Sequence, residues 1–215
     1  MKSEFWHQRW KEEQIGFHQS EINSYLQQHW SENFLDQSSV FVPLCGKSQD
    51  MLWLREQGHK VIGSELSIIA VRDFFEENEL TPTIEKQAHY QRWSAEGITI
   101  LVGDFFDLAP QDLQDVTTVY DRAALVALPE SMREDYVTQL QQIVSPKSKI
   151  LLITTTYPQQ EMDGPPFSVA EREIRRLYQP HWQVEQLYTH NFPDDHPRLQ
   201  NRGISRMEES VYLIR

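Results

Sequence analysis

Acidic side chains stand where apolar, strand-like runs of the sequence end, and these residues are the best suited to chemistry. Glu65 ends such a run 19 residues after Gly46, and Asp104 and the pair Asp121-Arg122 follow later runs. An acid at about this distance from a glycine turn accepts hydrogen bonds from a ribose in nucleotide-binding domains. Because the carboxyl ends of parallel strands lie at one edge of a sheet, we expect these side chains to surround one ligand.

The turn that precedes the first of these acids has a distinctive composition. Residues 40–42 are apolar, and residues 43–46 cannot continue the strand because proline lacks an amide donor and glycine admits positive φ. Ser48 is predicted to cap the next helix, with Asp50 in its first turn and Gly58 at its end. This order of strand, turn, helix and strand is typical of the first half of a nucleotide-binding α/β domain.

Alternating helices and strands must position these side chains. In chain order, the pattern predicts helices at 3–12 and 21–30, the strands already described, a helix after Ser67, paired strands at 89–93 and 98–102, a strand at 116–120, a helix at 132–144, a strand at 149–156, a helix near 169–177, and antiparallel strands at 182–188 and 209–214 that flank a polar loop at 194–206. We therefore predict an α/β fold with a doubly wound, mostly parallel sheet, an antiparallel C-terminal edge and extra N-terminal helices. We expect residues 1–215 to form a single domain, in which residues 1–36 are an N-terminal helical cover and residues 37–215 are the α/β core.

The composition argues against several classes of protein. With 20 basic and 32 acidic residues, the chain of 215 residues has a net charge of -12 and would repel a phosphate backbone, so nucleic acid is not an expected partner. A single cysteine cannot form an internal disulfide, and no apolar run approaches the roughly 20 residues needed to span a bilayer. The first residues lack the basic start and apolar stretch of a signal peptide. We expect a cytoplasmic protein without membrane association.

The glycine pattern narrows the choice of cofactor. The G-x-G-x-x-G run that holds a pyrophosphate is absent, which disfavours a nicotinamide-dependent oxidoreductase. Residues 46–48 supply the end of a phosphate-binding G-x-x-x-x-G-K-[ST] loop, but Phe41 stands where its first glycine should be. What remains suits an adenosine without phosphates, with a close turn for an amino-acid portion, Glu65 for ribose, and Asp104 with Phe105 beside adenine. S-adenosyl-L-methionine fits this description.

Six segments carry a resemblance to a known family. They are FWHQRW (5–10), IGFH (15–18), FVPLCGKSQDMLWL (41–54), GHKVIGSELS (58–67), DRAALVAL (121–128) and GPPF (164–167). Together they resemble the thiopurine S-methyltransferases, and FVPLCGK is distinctive because most methyltransferases of this fold have a more glycine-rich first turn. The short N-terminus is similar to the bacterial branch of that family. The resemblance implies a class I S-adenosylmethionine-dependent methyltransferase with a Rossmann-like, seven-stranded sheet.

The resemblance also implies roles for individual residues. The positions implied to bind the cofactor are Trp10, Leu44, Gly46, Glu65, Leu66, Asp104, Phe105 and Arg122. Phe17, Pro166 and Arg198 are the positions implied to border the substrate. Arg198 is matched only through its spacing to Gly203, so Arg202 is the alternative for the arginine that faces the substrate.

The implied reaction is methyl transfer from S-adenosylmethionine to the sulfur of thiopurines and related aromatic or heterocyclic thiols, with S-adenosyl-L-homocysteine as product. Selenium and tellurium compounds are further acceptors suggested by the bacterial branch, with detoxification as their cellular context. Since a thiolate is already a strong nucleophile, no general base is obligatory, and we expect Arg122 and Arg198 to act by orienting the acceptor. The alternative function is a non-catalytic module that binds S-adenosylmethionine or adenosine.

The sequence lacks the patterns that would indicate a bound metal or a protein partner. No histidine pair has the H-E-x-x-H spacing of a metal site, so we expect no metal. His18 and the other histidines are interpreted as surface or packing residues, and Cys45 as a packed side chain without a catalytic role. A small-molecule substrate and a monomeric chain are expected, because no heptad pattern or spare apolar face indicates a protein partner.

Overall fold

A mixed β-sheet forms the centre of the computed structural model, which describes residues 3–16, 18–34 and 38–215. Its strands are β1 Ser39–Val42, β2 Lys60–Glu65, β3 Thr83–Lys86, β4 Gln91–Ala95, β5 Ile98–Val102, β6 Val116–Arg122, β7 Lys149–Thr156, β8 Val184–Asn191 and β9 Glu208–Ile214. The helices are α1 Ser3–Lys11, α2 Ser24–Asn33, α3 Asp50–Glu56, α4 Ile68–Glu77, α5 Glu130–Ile143, α6 Glu171–Tyr178 and α7 Pro197–Arg202.

The sheet order is β3-β4-β5-β2-β1-β6-β7-β9-β8. The five strands from β5 to β7 pair in parallel, whereas β3 and β4 at one edge and β9 and β8 at the other pair antiparallel. This topology confirms the predicted doubly wound sheet with an antiparallel C-terminal edge. Parallel strands β1, β2 and β6 end at the same edge, so the polar residues that follow them are brought together.

The predicted number of seven strands is wrong, because the described residues form nine. The ribbon of β3 and β4 extends the sheet beyond β5. β3 was not predicted because all four of its residues are exposed and Ile84 is its one apolar side chain, so the strand has no buried face to produce an alternating pattern. A further unpredicted element, α7, lies within the predicted polar loop at 194–206.

Apolar side chains alternate between the two faces of the central strands. In β1, Val40 and Val42 belong to a cluster that includes residues of α2, α3 and α4, whereas Phe41 belongs to a cluster with residues of α5 and α6. Burial on both faces is what a parallel sheet covered by helices requires. Among the described helices, none is both long enough and apolar enough to cross a membrane.

The N-terminal ends of α3 and α4 lie next to the residues that follow β1 and β2. The predicted cap of α4 is confirmed, since the Ser67 side chain accepts a hydrogen bond from the Ala70 amide. The predicted cap of α3 is wrong by one residue: Gln49 occupies the cap position and makes no side-chain capping bond. The Ser48 hydroxyl instead accepts a hydrogen bond from Arg122 at 2.9 Å, besides a longer one from the Asp50 amide.

Candidate functional site

One cavity opens where β1, β2, β5 and β6 end. Its lining from these strand ends includes Val42, Tyr120 and residues 44–48, 64–66, 103–106 and 122–123. Trp6 and Trp10 of α1 line the cavity from the N-terminal side, and Pro165 and Pro166 line it from the loop after β7. The cavity therefore lies at the carboxyl ends of the parallel strands, where doubly wound sheets bind their ligands.

Nine of the residues predicted from the sequence line this cavity together. They are Trp10, Leu44, Gly46, Glu65, Leu66, Asp104, Phe105, Arg122 and Pro166. Phe17, which was predicted to border the substrate, lies outside the described residues. Arg198 does not line this cavity; it lies on a neighbouring groove, pairs with Glu209 at 3.1 Å and stands 5.6 Å from the centre of the Phe192 ring.

Glu65 connects the end of β2 to the turn that follows β1. Its Oε2 accepts the Gly46 amide at 2.8 Å, and its Oε1 accepts the Ser67 amide at 2.7 Å. Burial raises the pKa of Glu65, and the amide hydrogen bonds from Ser67 and Gly46 oppose that rise. Because each carboxylate oxygen has two acceptor positions, both oxygens can still accept a hydroxyl from a ligand.

The turn after β1 holds an uncommon backbone conformation. Leu44 has φ of +48° and Gly46 has φ of +54°. Both values lie in the left-handed backbone region, which residues other than glycine rarely adopt. A Cβ atom at Gly46 would stand 3.1 Å from Cζ2 of Trp10, so the indole of α1 lies directly against this glycine. The turn and the N-terminal helix thus enclose one side of the cavity.

We expect Gly46→Ala to cost about 1 to 2 kcal/mol of folding stability from its positive φ and to weaken cofactor binding by displacing Trp10. Gly203→Ala is the matched control, because Gly203 has a similar φ of +65° with nothing within 4 Å of an added Cβ. Chemical denaturation measures the first effect, and calorimetry with S-adenosylhomocysteine, the product form of the expected cofactor, measures the second. Equal affinities of the two variants would show that the Trp10 contact does not matter for binding.

Arg122 ends β6 and is fixed by two partners from the loop and helix after β1. Its Nε donates to Oδ2 of Asp50 at 2.6 Å, and its Nη2 donates to the Ser48 hydroxyl at 2.9 Å. Its neighbour Asp121 points to the other face of the strand, where it accepts hydrogen bonds from the Tyr136 hydroxyl and the Leu125 amide. The ion pair of Arg122 is therefore with Asp50, which was predicted only as an acid in the first turn of α3.

Two basic residues of the cavity, His18 and Lys47, were not predicted to line it. His18 lines both the cavity and the neighbouring groove, and Lys47 lines the cavity and pairs with Glu77 at 2.6 Å. Burial lowers the pKa of His18, and the nearby cations Lys47 and Arg122 lower it further. Glu77 has the opposite effect and raises this pKa. A neutral imidazole at pH 7 follows. The position of His18 in the IGFH segment was the one available signal.

The walls of the cavity are suited to binding and orienting rather than to supplying a nucleophile. Leu44, Phe105 and Trp10 offer apolar surface, Glu65 offers a carboxylate, and Arg122 a guanidinium. Burial raises the pKa of the Cys45 thiol well above its usual range, so this thiol stays protonated. Within the described ranges, no group of three or more histidine, cysteine, aspartate or glutamate side chains is arranged to hold a metal ion.

Comparison with known proteins places this architecture in a family. The family model described as thiopurine S-methyltransferase matches residues 1–215, the full length of the chain. The chain belongs to the thiopurine S-methyltransferase family. A thiopurine S-methyltransferase of Nitrosospira multiformis is 49% identical over 215 residues, covering 100% of this chain and 98% of the relative. One of Pseudomonas fluorescens is 46% identical over 216 residues, covering 100% and 99%. The resemblance found in the sequence is confirmed.

Solved structures support the fold independently. An S-adenosylmethionine-dependent methyltransferase from Anabaena variabilis is similar with a TM-score of 0.63 at 14% identity, over 99% of this chain and 94% of its own. A 1,6-didemethyltoxoflavin-N1-methyltransferase from Burkholderia thailandensis, solved with bound S-adenosylhomocysteine, has a TM-score of 0.62 at 11% identity, over 99% and 86%. At such low identities these likenesses establish the Rossmann-like methyltransferase fold.

Proposed function

We propose that this chain transfers the methyl group of S-adenosylmethionine to the sulfur of thiopurines and related aromatic or heterocyclic thiols, with S-adenosylhomocysteine as product. The observation that carries the proposal is the meeting of Glu65, Gly46 and Arg122 in one cavity of a chain that belongs to this family over its full length. A non-catalytic binding module is less well supported, because the cavity extends past the cofactor residues to Pro166.

The lining residues support S-adenosylmethionine as the ligand, and we assign each portion of it to a part of the cavity. The turn at Leu44 and Gly46 takes the methionine portion, because Gly46 lets the indole of Trp10 pack against the turn and enclose that side of the cavity. Glu65 takes the ribose hydroxyls through the free acceptor positions of its two oxygens. The charge of that carboxylate makes such hydrogen bonds stronger than neutral ones.

The adenine is assigned to the loop after β5. Oδ1 of Asp104 accepts the Phe106 amide at 3.0 Å, which fixes the carboxylate and leaves Oδ2 as an acceptor for an amino group. Phe105 is buried, with its ring centre 5.0 Å from that of Tyr136, and it supplies the apolar surface that a base requires. Leu66 lines the cavity on the side of β2.

The chemistry requires orientation more than acid or base catalysis. When bound, S-adenosylmethionine supplies a methyl group on a sulfonium, which the acceptor sulfur attacks in line while the old carbon–sulfur bond breaks and leaves a neutral thioether. Orientation of two reactants in an enclosed site is worth roughly 7 to 11 kcal/mol of the barrier. Arg122 lies in the cavity with a fixed guanidinium and favours an ionised acceptor sulfur. Trp10 and the apolar walls exclude water.

The acceptor side is assigned to Arg122, Pro166, Phe17 and Arg198. Arg198 pairs with Glu209 outside the cavity, so its contact with an acceptor in the cavity requires a change in its position. His18 lies between the two regions, since it lines both the cavity and the groove. Selenols and tellurium compounds are included as acceptors, because the same in-line displacement suits their strongly nucleophilic ionised forms. We assign the enzyme to the cytoplasm and to a monomeric, single-domain state.

The decisive experiment follows labelled methyl transfer from S-adenosylmethionine to 6-mercaptopurine, together with a panel of thiols, selenols and tellurite. We expect labelled S-methylated 6-mercaptopurine, binding of S-adenosylhomocysteine by calorimetry, and no binding of NAD. Cofactor binding without product from any acceptor would instead establish a non-catalytic module.

Replacement of each candidate arginine tests which one faces the acceptor. We expect Arg198→Ala to raise KM for the thiol by about 10-fold, the loss of one charge-assisted hydrogen bond, with little change in KM for S-adenosylmethionine. Arg202→Ala is the matched control, four residues further along α7. Steady-state kinetics with each substrate varied in turn measure the effect. The reverse pattern would assign the role to Arg202.

A further inference from the structure

The position of Arg122, a cation that lines the cavity, depends on a carboxylate that does not line it. Asp50 is the first residue of α3, its side chain is 0% exposed, and it holds Nε of Arg122 at 2.6 Å. Arg122 itself is 11% exposed and faces the cavity. A buried carboxylate in direct contact with a cavity-lining guanidinium decides where that guanidinium can lie.

The carboxylate of Asp50 is itself fixed from two other directions. Its Oδ1 accepts the backbone amide of Asn23 at 2.9 Å, and its Oδ2 also accepts the Tyr120 hydroxyl at 2.9 Å. Asn23 caps α2, because its side chain accepts the amides of the first turn of that helix. One carboxylate therefore connects the start of α2, the strand β6 and the arginine of the cavity.

This arrangement leaves Arg122 little freedom to move. The guanidinium has five N–H groups, of which the group at Nε is committed to Asp50 and one at Nη2 to Ser48. Further N–H groups remain for a ligand. Because Asp50 cannot follow a displaced guanidinium without breaking its bonds to Asn23 and Tyr120, the orientation of Arg122 is set before any acceptor binds.

We infer that Asp50 is a positioning residue for methyl transfer, which acts through Arg122 and not on the reactants themselves. The inference rests on the proposed function and extends it to a residue outside the cavity. Removal of Asp50 lets the guanidinium swing away from the reacting sulfur, and a misplacement of about 1 Å can lower a rate by about 100-fold.

A double-mutant cycle tests this inference, with wild type, Asp50→Asn, Arg122→Ala and the double variant as its four proteins. Each is measured for kcat and KM with 6-mercaptopurine and for the Kd of S-adenosylhomocysteine. We expect Asp50→Asn to lower kcat/KM by about 10- to 100-fold in the wild-type background and to have almost no effect once Arg122 is alanine. The inference would be overturned if the fold-changes of the two single variants multiply to give that of the double variant, both in kcat/KM and in the Kd of S-adenosylhomocysteine.

A second, largely buried ion pair provides a control that distinguishes a loss of stability from a loss of positioning. Arg133 and Glu173 are 2.7 Å apart, with side chains 3% and 16% exposed, and Glu173 lies outside the cavity lining. Glu173→Gln should lower the melting temperature as Asp50→Asn does and leave kcat/KM unchanged. If Glu173→Gln lowers kcat/KM by as much as Asp50→Asn, the effect is one of stability and the inference is wrong.

The cycle remains informative if Asp50→Asn does not fold. The double variant removes both buried charges and avoids an unpaired one, so its kcat/KM can be compared directly with that of Arg122→Ala. Equal values support the inference, and a further 10-fold loss in the double variant contradicts it. A wild type that methylates no thiol would refute the proposed function, whereas the Kd cycle with S-adenosylhomocysteine would still test the coupling of Asp50 to Arg122.

Discussion

Glu65→Gln is expected to weaken the binding of S-adenosylmethionine and S-adenosylhomocysteine by at least about 100-fold, because two charge-assisted hydrogen bonds to the ribose are lost. The variant also loses local order. The two oxygens of Glu65 accept hydrogen bonds from the backbone amides of Gly46 and Ser67. In glutamine, an NH2 group replaces one oxygen, so a donor faces one of these two amide donors and that hydrogen bond is lost. Calorimetry with S-adenosylhomocysteine measures the affinity.

The control for this substitution is Asp112→Asn. Asp112 also accepts a backbone amide, from Ala109 at 2.8 Å, and a side-chain hydroxyl, from Tyr90 at 2.7 Å, but it does not line the cavity. Asp112→Asn should therefore bind S-adenosylhomocysteine as the wild type does. An unchanged affinity of Glu65→Gln would remove this residue from the ribose site.

The second large effect concerns the dependence of stability on pH. Burial raises the pKa of Asp121 to about 6, against opposing hydrogen bonds from the Tyr136 hydroxyl and the Leu125 amide. The folded protein then binds more protons than the unfolded chain between about pH 4 and pH 6, so this group lowers stability as the pH rises through that window. The ionisation of Asp121 lowers the free energy of unfolding by about 3 kcal/mol in total. About 2 kcal/mol of this loss occurs between pH 4.5 and 7.5.

Asp121→Asn removes this titration and is the reference for its measurement. We expect the free energy of unfolding of the wild type to fall by about 2 kcal/mol relative to the variant when urea denaturation is repeated at pH 4.5 and pH 7.5. Glu65 titrates in both proteins and cancels from the difference. Parallel pH profiles of the two proteins would mean that Asp121 ionises in the fold as it does in the unfolded chain.

The sequence predicts best where an element has a buried face. β7 has the predicted bounds, because its apolar and β-branched residues form one continuous run. β2 ends at Glu65 as expected, because Val61 and Ile62 begin a strand directly after the turn signal at Gly58. α7 shows the opposite case. Pro197 at its first position and Gly203 after its end, with φ of +65°, are the proper signals, but Leu199 is its one buried side chain and no periodic pattern results.

The candidate site divides in the same way. Residues at strand ends, such as Glu65 and Asp104, could be found because the fold class alone brings strand ends together. The partner of Arg122 could not, because Asp50 is 72 residues away and reaches it only through the order of the strands in the sheet. Asp121, the nearer acid in sequence, points to the opposite face of β6.

The hydrogen bonds that Glu65 receives have a consequence for the cost of binding. Since backbone amides of two different loops already hold both oxygens, the side chain has a single rotamer before a ligand arrives. A free glutamate side chain would lose up to about 2 kcal/mol of conformational entropy on being ordered, and here that loss occurs during folding instead. The protein thus has a preorganised acceptor, and ligand affinity at this position is not reduced by the ordering of the side chain.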